Sequence, residues 1–481
     1  MNHTSLWNEL VKLDSYPQLE GDAQTDVLII GGGLTGLLCG YLLGQNHIDY
    51  MVVEAENICG GVTSSTTGKI TAQHSLIYNK LISTVGVEKA RQYLNANLNA
   101  FQNYKRIICE NQINCSFEET PNVVYTLENP MAIENEIVAL NKIGISAELI
   151  TSSSLPFDIR CGLKTFYSAH FNPLEFAAAI AKDMKIYEHT RVCNVDDMKA
   201  VTDRGTITAK KIIFACHFPQ KNFPGMYFAR MSQDRSYLAA VKHASKMDAM
   251  YVDENTVGMT FRNYENYLIL GGFDHRTGEG DGLRFQSLEE KIKTLYPRSE
   301  VMNIWSTQDC MPADSIPFIG RYSSLTPDIY IASGYGKWGM STSMAAAMII
   351  TDEIMGKENE NAKVFSPKRL NIKGAYHNSM QNMKTYITGL SAEMFQKSKL
   401  SLQDVKKGEA KIVEINRKKA GVYCDDAGKY HIVNARCSHL GCLLSFNADE
   451  KSWDCPCHGS RYDVDGNIIS NPAGTDIKII T

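Results

Sequence analysis

After Asp26, DVLII at 26 to 30 is a short apolar run, and it ends at a cluster of glycines, GGGLTG at 31 to 36. A short apolar stretch bounded this way fits a central parallel strand buried on both faces. LTGLLCGYLLGQ then repeats apolar positions at helical spacing, and YMVVE returns as a second strand. Residues 80 to 150 carry helical patterns such as GVEKARQYLNANLNAFQNYKRIICE, and 226 to 275 carry repeated short strands suited to an antiparallel sheet. KIIFACHFP at 211 to 219 reads as a buried strand ending in a turn, whereas GGFDHRTGEGDG at 271 to 282 reads as hairpin and loop. The stretch from Met340 to Met355 is broken by Ser341, Thr342, Ser343, Thr351, Asp352 and Glu353, which makes it a buried helix and too short to span a membrane. Polar residues from 357 to 400 predict a connecting segment with one or two helices. Strand alternation resumes within SLQDVKKGEAKIVEI.

The length of 481 residues suggests about three units. A net charge of -4 gives no basic surplus, so nucleic acid and anionic membranes are not expected partners. MNHTSLWNELVKL has neither a basic nor an apolar leader region, and a cytoplasmic location is expected. Of the 13 cysteines, Cys437, Cys442, Cys455 and Cys457 cluster, while the others, such as Cys39 and Cys109, read as buried core thiols.

Strand, glycine turn and helix make a dinucleotide fingerprint. Gly31 permits the tight turn, Gly33 lets the backbone approach a pyrophosphate, and Gly36 lets the helix pack against the strand with its N-terminus toward the phosphates. Glu54, at the end of the second strand, is placed to accept adenosine ribose hydroxyls. No second unit of this kind follows, which argues against a separate nicotinamide site and for a small organic electron donor. GGGLTG, VVEAE and GGVTSSTTGKIT, with PADSIPFIG at 312 to 320 and YIASGYGKWGMST at 330 to 342, resemble the family of glycine oxidase, sarcosine oxidase and D-amino-acid oxidase. The resemblance implies FAD, held by Gly31, Gly33, Leu34, Thr35, Gly36, Glu54, Thr66, Thr67, Gly68, Lys69, Val192, Gly339, Met340 and Ser341. Lys69 would lie near the flavin ring and Gly339, Met340 and Ser341 near its carbonyl edge. Lys69 and Lys337 are the candidate catalytic groups, Tyr335 and Trp338 candidate substrate-edge groups, and His74 reads as structural.

Near the C-terminus, Cys437-Ser-His439 and Cys455-Pro-Cys457-His458 supply two thiolates and two imidazoles from two loops. Two Cys on one iron and two His on the other describe a Rieske [2Fe-2S] centre, whereas the spacing does not fit tetrahedral zinc. CSHLGC with CPCHGSRY is similar, nearly residue for residue, to Rieske proteins of the cytochrome bc type. That resemblance implies a Cys442–Cys457 disulfide, hydroxyls of Ser460 and Tyr462 directed at the cluster and a ligand sulfur, and a covering loop at NPAG, 471 to 474. Scattered histidines His170, His189, His217, His243 and His275 lack the close spacing of a mononuclear iron site.

The expected architecture is α/β: a Rossmann-like FAD-binding domain with an antiparallel substrate-domain sheet, followed by a small all-β Rieske domain. An N-terminal extension occupies 1–25, the oxidoreductase domain 26–356 (FAD-binding parts about 26–80, 165–220 and 310–356), a linker 357–395 and the Rieske domain 396–481. The expected activity is oxidation of a small amine or amino acid by hydride transfer to FAD, with electrons passed singly through the cluster to an acceptor protein or quinone. The alternatives are a reductase fed through the Rieske domain and a redox-sensing electron-transfer protein.

Overall fold

The computed structural model describes residues 3–255, 257–280, 282–395, 400–415 and 418–477. The expected start of the Rieske domain at 396 lies outside them. Ala23–Ile30 is the central strand of the first sheet, with Tyr50–Val53 parallel on one side and Thr206–Phe214 parallel on the other. Thr326–Ser333 adds to Thr206–Phe214, again in parallel. The helix Leu34–Gln45 starts directly after the glycine turn. Two glycines explain that turn: Gly31 has φ +113°, and a Cβ at Gly36 would stand 1.9 Å from the carbonyl oxygen of Gly31. No other residue allows helix and strand so close.

The second sheet has eight strands and runs Glu300–Pro312, Met231–Lys242, Tyr267–Arg276, Thr260–Tyr264, Met250–Asp253, Asn122–Thr126, Cys161–Thr165, Glu148–Ile150. All its pairings are antiparallel except Met250–Asp253 with Asn122–Thr126. Alternation sorts its two faces. Leu238, Ala240, Ile269 and Trp305 enter the large core shared with the helices, which we call the front. Tyr237, Ala239, Leu268, Leu270 and Ile304 pack behind, against Leu288 and Ile292 of the helix Arg284–Leu295.

Two small antiparallel sheets form the C-terminal unit: Ala410–Ile415, Lys418–Cys424, Tyr430–Asn434, and Ser445–Asn447, Ser452–Asp454, Arg461–Tyr462, Ile468–Ser470. The α/β plus small all-β architecture is therefore as the sequence indicates.

Two local expectations need correction. GGFDHR at 271 to 276 is not loop but the end of the strand Tyr267–Arg276. A Cβ at Gly271 would come within 2.6 Å of the Tyr237 carbonyl oxygen, so this glycine serves close strand pairing rather than a turn. Cys109 is exposed on the helix Val87–Glu110 and Cys193 is exposed on Val192–Asp196, so neither is a core thiol. The N-terminal segment is also more than an appendage, since Leu6 and Trp7 of the helix Leu6–Leu10 are fully buried.

Candidate functional site

At the nucleotide end, Glu54 closes the strand Tyr50–Val53 and its carboxylate accepts the backbone N–H of Gly32 at 2.7 Å and of Glu56 at 3.0 Å. Thr63 caps the helix start by accepting from Leu34 N–H at 3.1 Å. Thr35 Oγ1 meets Tyr335 Oη at 3.0 Å and donates to Ser343 at 2.9 Å, which ties the first helix to the helix Gly339–Ile354. Val192 is buried at the start of its strand in the core behind the sheet. Side-chain-free Gly31 to Gly33, a helix N-terminus and an acid at the strand end are the donor and acceptor set an adenine dinucleotide needs.

The loop that follows brings Thr66, Thr67, Gly68 and Lys69 together. Thr66 accepts from Gly68 N–H at 3.1 Å through its hydroxyl and from Trp7 Nε1 at 2.7 Å through its carbonyl. Lys69 is buried, and its ammonium donates to the Tyr251 carbonyl at 2.9 Å and to the Thr260 hydroxyl. Burial, reinforced by the Arg262 cation, lowers its pKa to about 7. The helix Gly339–Ile354 presents Met340, whose carbonyl accepts from Tyr104 at 2.8 Å, and Ser341, whose hydroxyl meets His74 Nε2 at 2.9 Å. His74 also meets Tyr93 at 2.7 Å and stacks on Trp338 at 4.9 Å; burial drives its pKa down to about 3, so it is a neutral packing group. Lys337, just before that helix, pairs with Asp274. Burial works against its charge, but the Asp274 carboxylate holds its pKa above the ordinary value.

In the C-terminal unit, Cys437, Cys455 and His458 are buried and His439 is half-buried. Nδ1 of His439 and Nδ1 of His458 are enclosed and make no hydrogen bond among the described residues, although the rings stand only 5.0 Å apart. The rest of each residue is engaged: His439 Nε2 meets Asn222 Oδ1 at 2.9 Å, and the His458 carbonyl accepts from Gln233 at 2.8 Å. Burial lowers His439 to about 4 and His458 to about 3, which keeps both imidazoles neutral, as metal ligation requires. Tyr462 Oη lies 3.4 Å from Cys437 Sγ, and Ser460 Oγ accepts from Ala473 N–H at 3.0 Å in the covering loop. Cys442 and Cys457 form a disulfide, and their sulfurs lie together with that of Cys455. Two thiols and two imidazoles with enclosed Nδ1 atoms, one of them held by Asn222 through its Nε2, fit a [2Fe-2S] centre.

This unit packs against the second sheet, through Gln233, Gln308 and Arg235 of its back and through Arg276, which shares the front with Asp234. Gln233 donates to the carbonyls of His458 and Asn471, and Gln308 donates to Gln233 at 2.6 Å and to the Gly459 carbonyl at 2.8 Å. Arg276 donates to the carbonyls of Pro456 and Cys457, both at 3.1 Å. Asn471 donates to the carbonyls of Cys216 and Phe218, and the Phe228 ring meets His439 and His458 edge-on at 6.1 and 5.7 Å. Arg235 and Arg461 both pair with the half-buried Glu450. Apart from Asn471, in the NPAG segment, none of these docking side chains was singled out from the sequence. Isolated Gln, Asn and Arg residues have no spacing signature, and only the polar alternation on the strands Met231–Lys242 and Glu300–Pro312 hinted at a second covered face.

Comparison with known proteins gives the same division. Residues 26–353 match the model of the FAD dependent oxidoreductase family, and 398–481 match that of the Rieske [2Fe-2S] domain. A putative Rieske 2Fe-2S iron-sulfur protein, YhfW, of Bacillus subtilis (strain 168) is 34% identical, with 98% of this chain and 97% of that protein covered. Among solved structures, L-proline dehydrogenase from P. horikoshii is similar at TM-score 0.61 and 17% identity, covering 73% of this chain and 98% of its own. Glycine oxidase from Geobacillus kaustophilus is similar at TM-score 0.61 and 17% identity, covering 72% and 99%.

Proposed function

The chain belongs to the FAD dependent oxidoreductase family and carries a Rieske [2Fe-2S] domain, and from that premise we propose that it oxidises a small amine or amino acid and passes the electrons singly to an external acceptor. Bound flavin supplies a two-electron acceptor for a hydride, and the iron pair supplies a one-electron carrier. The substrate C–N bond becomes C=N, and the external one-electron acceptor is reduced twice per substrate. Gly31, Gly33, Glu54 and the helix at Leu34 hold the dinucleotide in this reading, while Cys437, His439, Cys455 and His458 hold the iron.

The observation that carries the reading is the docking of the Rieske unit. The loop bearing His458 is gripped through its backbone by Gln233, Gln308 and Arg276 of the sheet whose front faces the flavin-binding helices. In this reading the electrons pass from the flavin to the cluster within one chain. The fold similarity to proline dehydrogenase and glycine oxidase favours an amine-bearing donor. Anaerobic mixing with a panel of small amines and amino acids, followed by visible absorbance, tests this. At least one compound should bleach the flavin without any added protein. A panel that leaves the flavin oxidised, while a reduced carrier protein bleaches it through the cluster, would reverse the direction of flow.

A further inference from the structure

The front of the second sheet carries groups that this reading leaves unused. Asp234 and Asp309 are register partners on neighbouring antiparallel strands, so both carboxylates stand on one face with Cβ atoms about 5 Å apart. Ser236 and Thr307 are the register partners two residues along, on the same face. Both hydroxyls are more than nine-tenths buried and make no hydrogen bond among the described residues. Asp274 adds a third carboxylate but is taken by Lys337. Arg276, opposite Asp234, spends its guanidinium on Pro456, Cys457 and Asn382 instead. Among the described residues, neither Asp234 nor Asp309 has an ion-pair partner within bonding distance or a side-chain hydrogen bond.

Like charges placed opposite one another across strands are destabilising, and polar side chains are not left buried and unpaired without cause. Burial and the neighbouring carboxylates raise the Asp309 pKa to about 6, which records the same tension. The face also looks onto the flavin-holding segments. Trp305, on its front side, donates to the Ser65 carbonyl at 3.0 Å in the loop before Lys69, and Lys337 lies two residues before Gly339.

We propose that this face is the substrate subsite and that it selects a cationic amine without a carboxylate group, the ammonium lying between Asp234 and Asp309 with the Ser236 and Thr307 hydroxyls as further partners. The inference rests on the oxidative reading above and narrows it. An ammonium adds positive charge where three carboxylates share one lysine, whereas a carboxylate would add a negative charge where two already face each other. The acid pair also provides the proton acceptor. The protonated amine loses a proton from nitrogen to an aspartate and a hydride from its α-carbon to the flavin, leaving a cation with a carbon–nitrogen double bond. Charge and atoms balance with no other reactant. Lys337 is bonded to Asp274 and also attracts Asp234 and Asp309, so three carboxylates share one lysine on this face.

The test is a binding titration of the FAD- and iron-loaded protein, read from the perturbation of flavin absorbance and by equilibrium dialysis, with matched compounds: pyrrolidine against proline, dimethylamine against sarcosine, and 1,4-diaminobutane against ornithine. The decarboxylated member of at least one pair should bind at least about tenfold tighter. D309N and D234N, which preserve shape, should each weaken that binding by roughly tenfold or more, with FAD content and the EPR spectrum of the reduced cluster unchanged. If carboxylated members bind and bleach the flavin best, or if both variants leave binding unchanged, the inference fails while amine oxidation stands. If no member of either kind bleaches the flavin, both fail.

Discussion

Tyr462 shows how much a single side chain can set. Its hydroxyl lies 3.4 Å from Cys437 Sγ and also accepts from Ser438 N–H at 3.1 Å, so it is fixed against a ligand sulfur. A hydrogen bond to a thiolate stabilises the reduced cluster, which carries one more negative charge. Y462F should therefore lower the reduction potential by about 60 mV, the equivalent of ~1.4 kcal/mol for one electron, as read by an EPR-monitored redox titration. This residue was legible in the sequence because cluster ligands and their supports are packed into two short loops. Asp234 and Asp309 were not, because only strand register brings residues so far apart in the chain face to face. Lys69 was legible as a flavin-side candidate, but not as the buried first residue of the strand Lys69–Thr71. Its contacts with Tyr251 and Thr260 depend on how that strand lies against the second sheet.

The strand Met231–Lys242 serves both redox units at once because its residues alternate. Gln233 and Arg235 point to the Rieske unit, and Asp234 and Ser236 to the front. Arg235 and Arg461 enclose Glu450, which is 12% exposed, and although burial alone would raise its pKa, the two guanidiniums hold it down at about 2. A depressed carboxylate contributes stability that is fully present above its unfolded value of about 4.3 and disappears as pH falls toward 2. Docking of the Rieske unit, followed by hydrogen exchange of the sheet amides, should therefore weaken between about pH 4 and 2. R235M leaves Glu450 with Arg461 alone and should loosen the same amides at neutral pH, by roughly 3 kcal/mol. Exchange that is indifferent to R235M would show that the ion pairs do not hold the interface. At this scale the central strand, glycine turn and first helix were readable, since local periodicity defines them. The continuation of Tyr267–Arg276 through two glycines was not, because the close pairing that demands glycine is a tertiary fact.

Across the whole molecule, the Rieske unit is clasped by the sheet at Gln233, Gln308 and Arg276 and by the segment from Cys216 to Phe228 at its histidine edge. No helix among the described residues is long and apolar enough to cross a membrane. A protease site inserted between the helix Ile372–Phe395 and the strand Ala410–Ile415 should, after cleavage, leave two fragments that co-elute on size exclusion. Separate elution would mean that the connecting segment alone keeps them together. The sequence foretold two redox modules but not their contact, which depends on isolated polar side chains meeting backbone carbonyls. The most direct test of the central claim is rapid mixing of the oxidised protein with a flavin-bleaching substrate under anaerobic conditions, freeze-quenched and read by EPR across a tenfold range of protein concentration. The Rieske signal should rise after flavin bleaching, with a rate independent of protein concentration. A signal that never appears, or a rate that scales with concentration, would contradict electron transfer from the flavin to the cluster of its own chain.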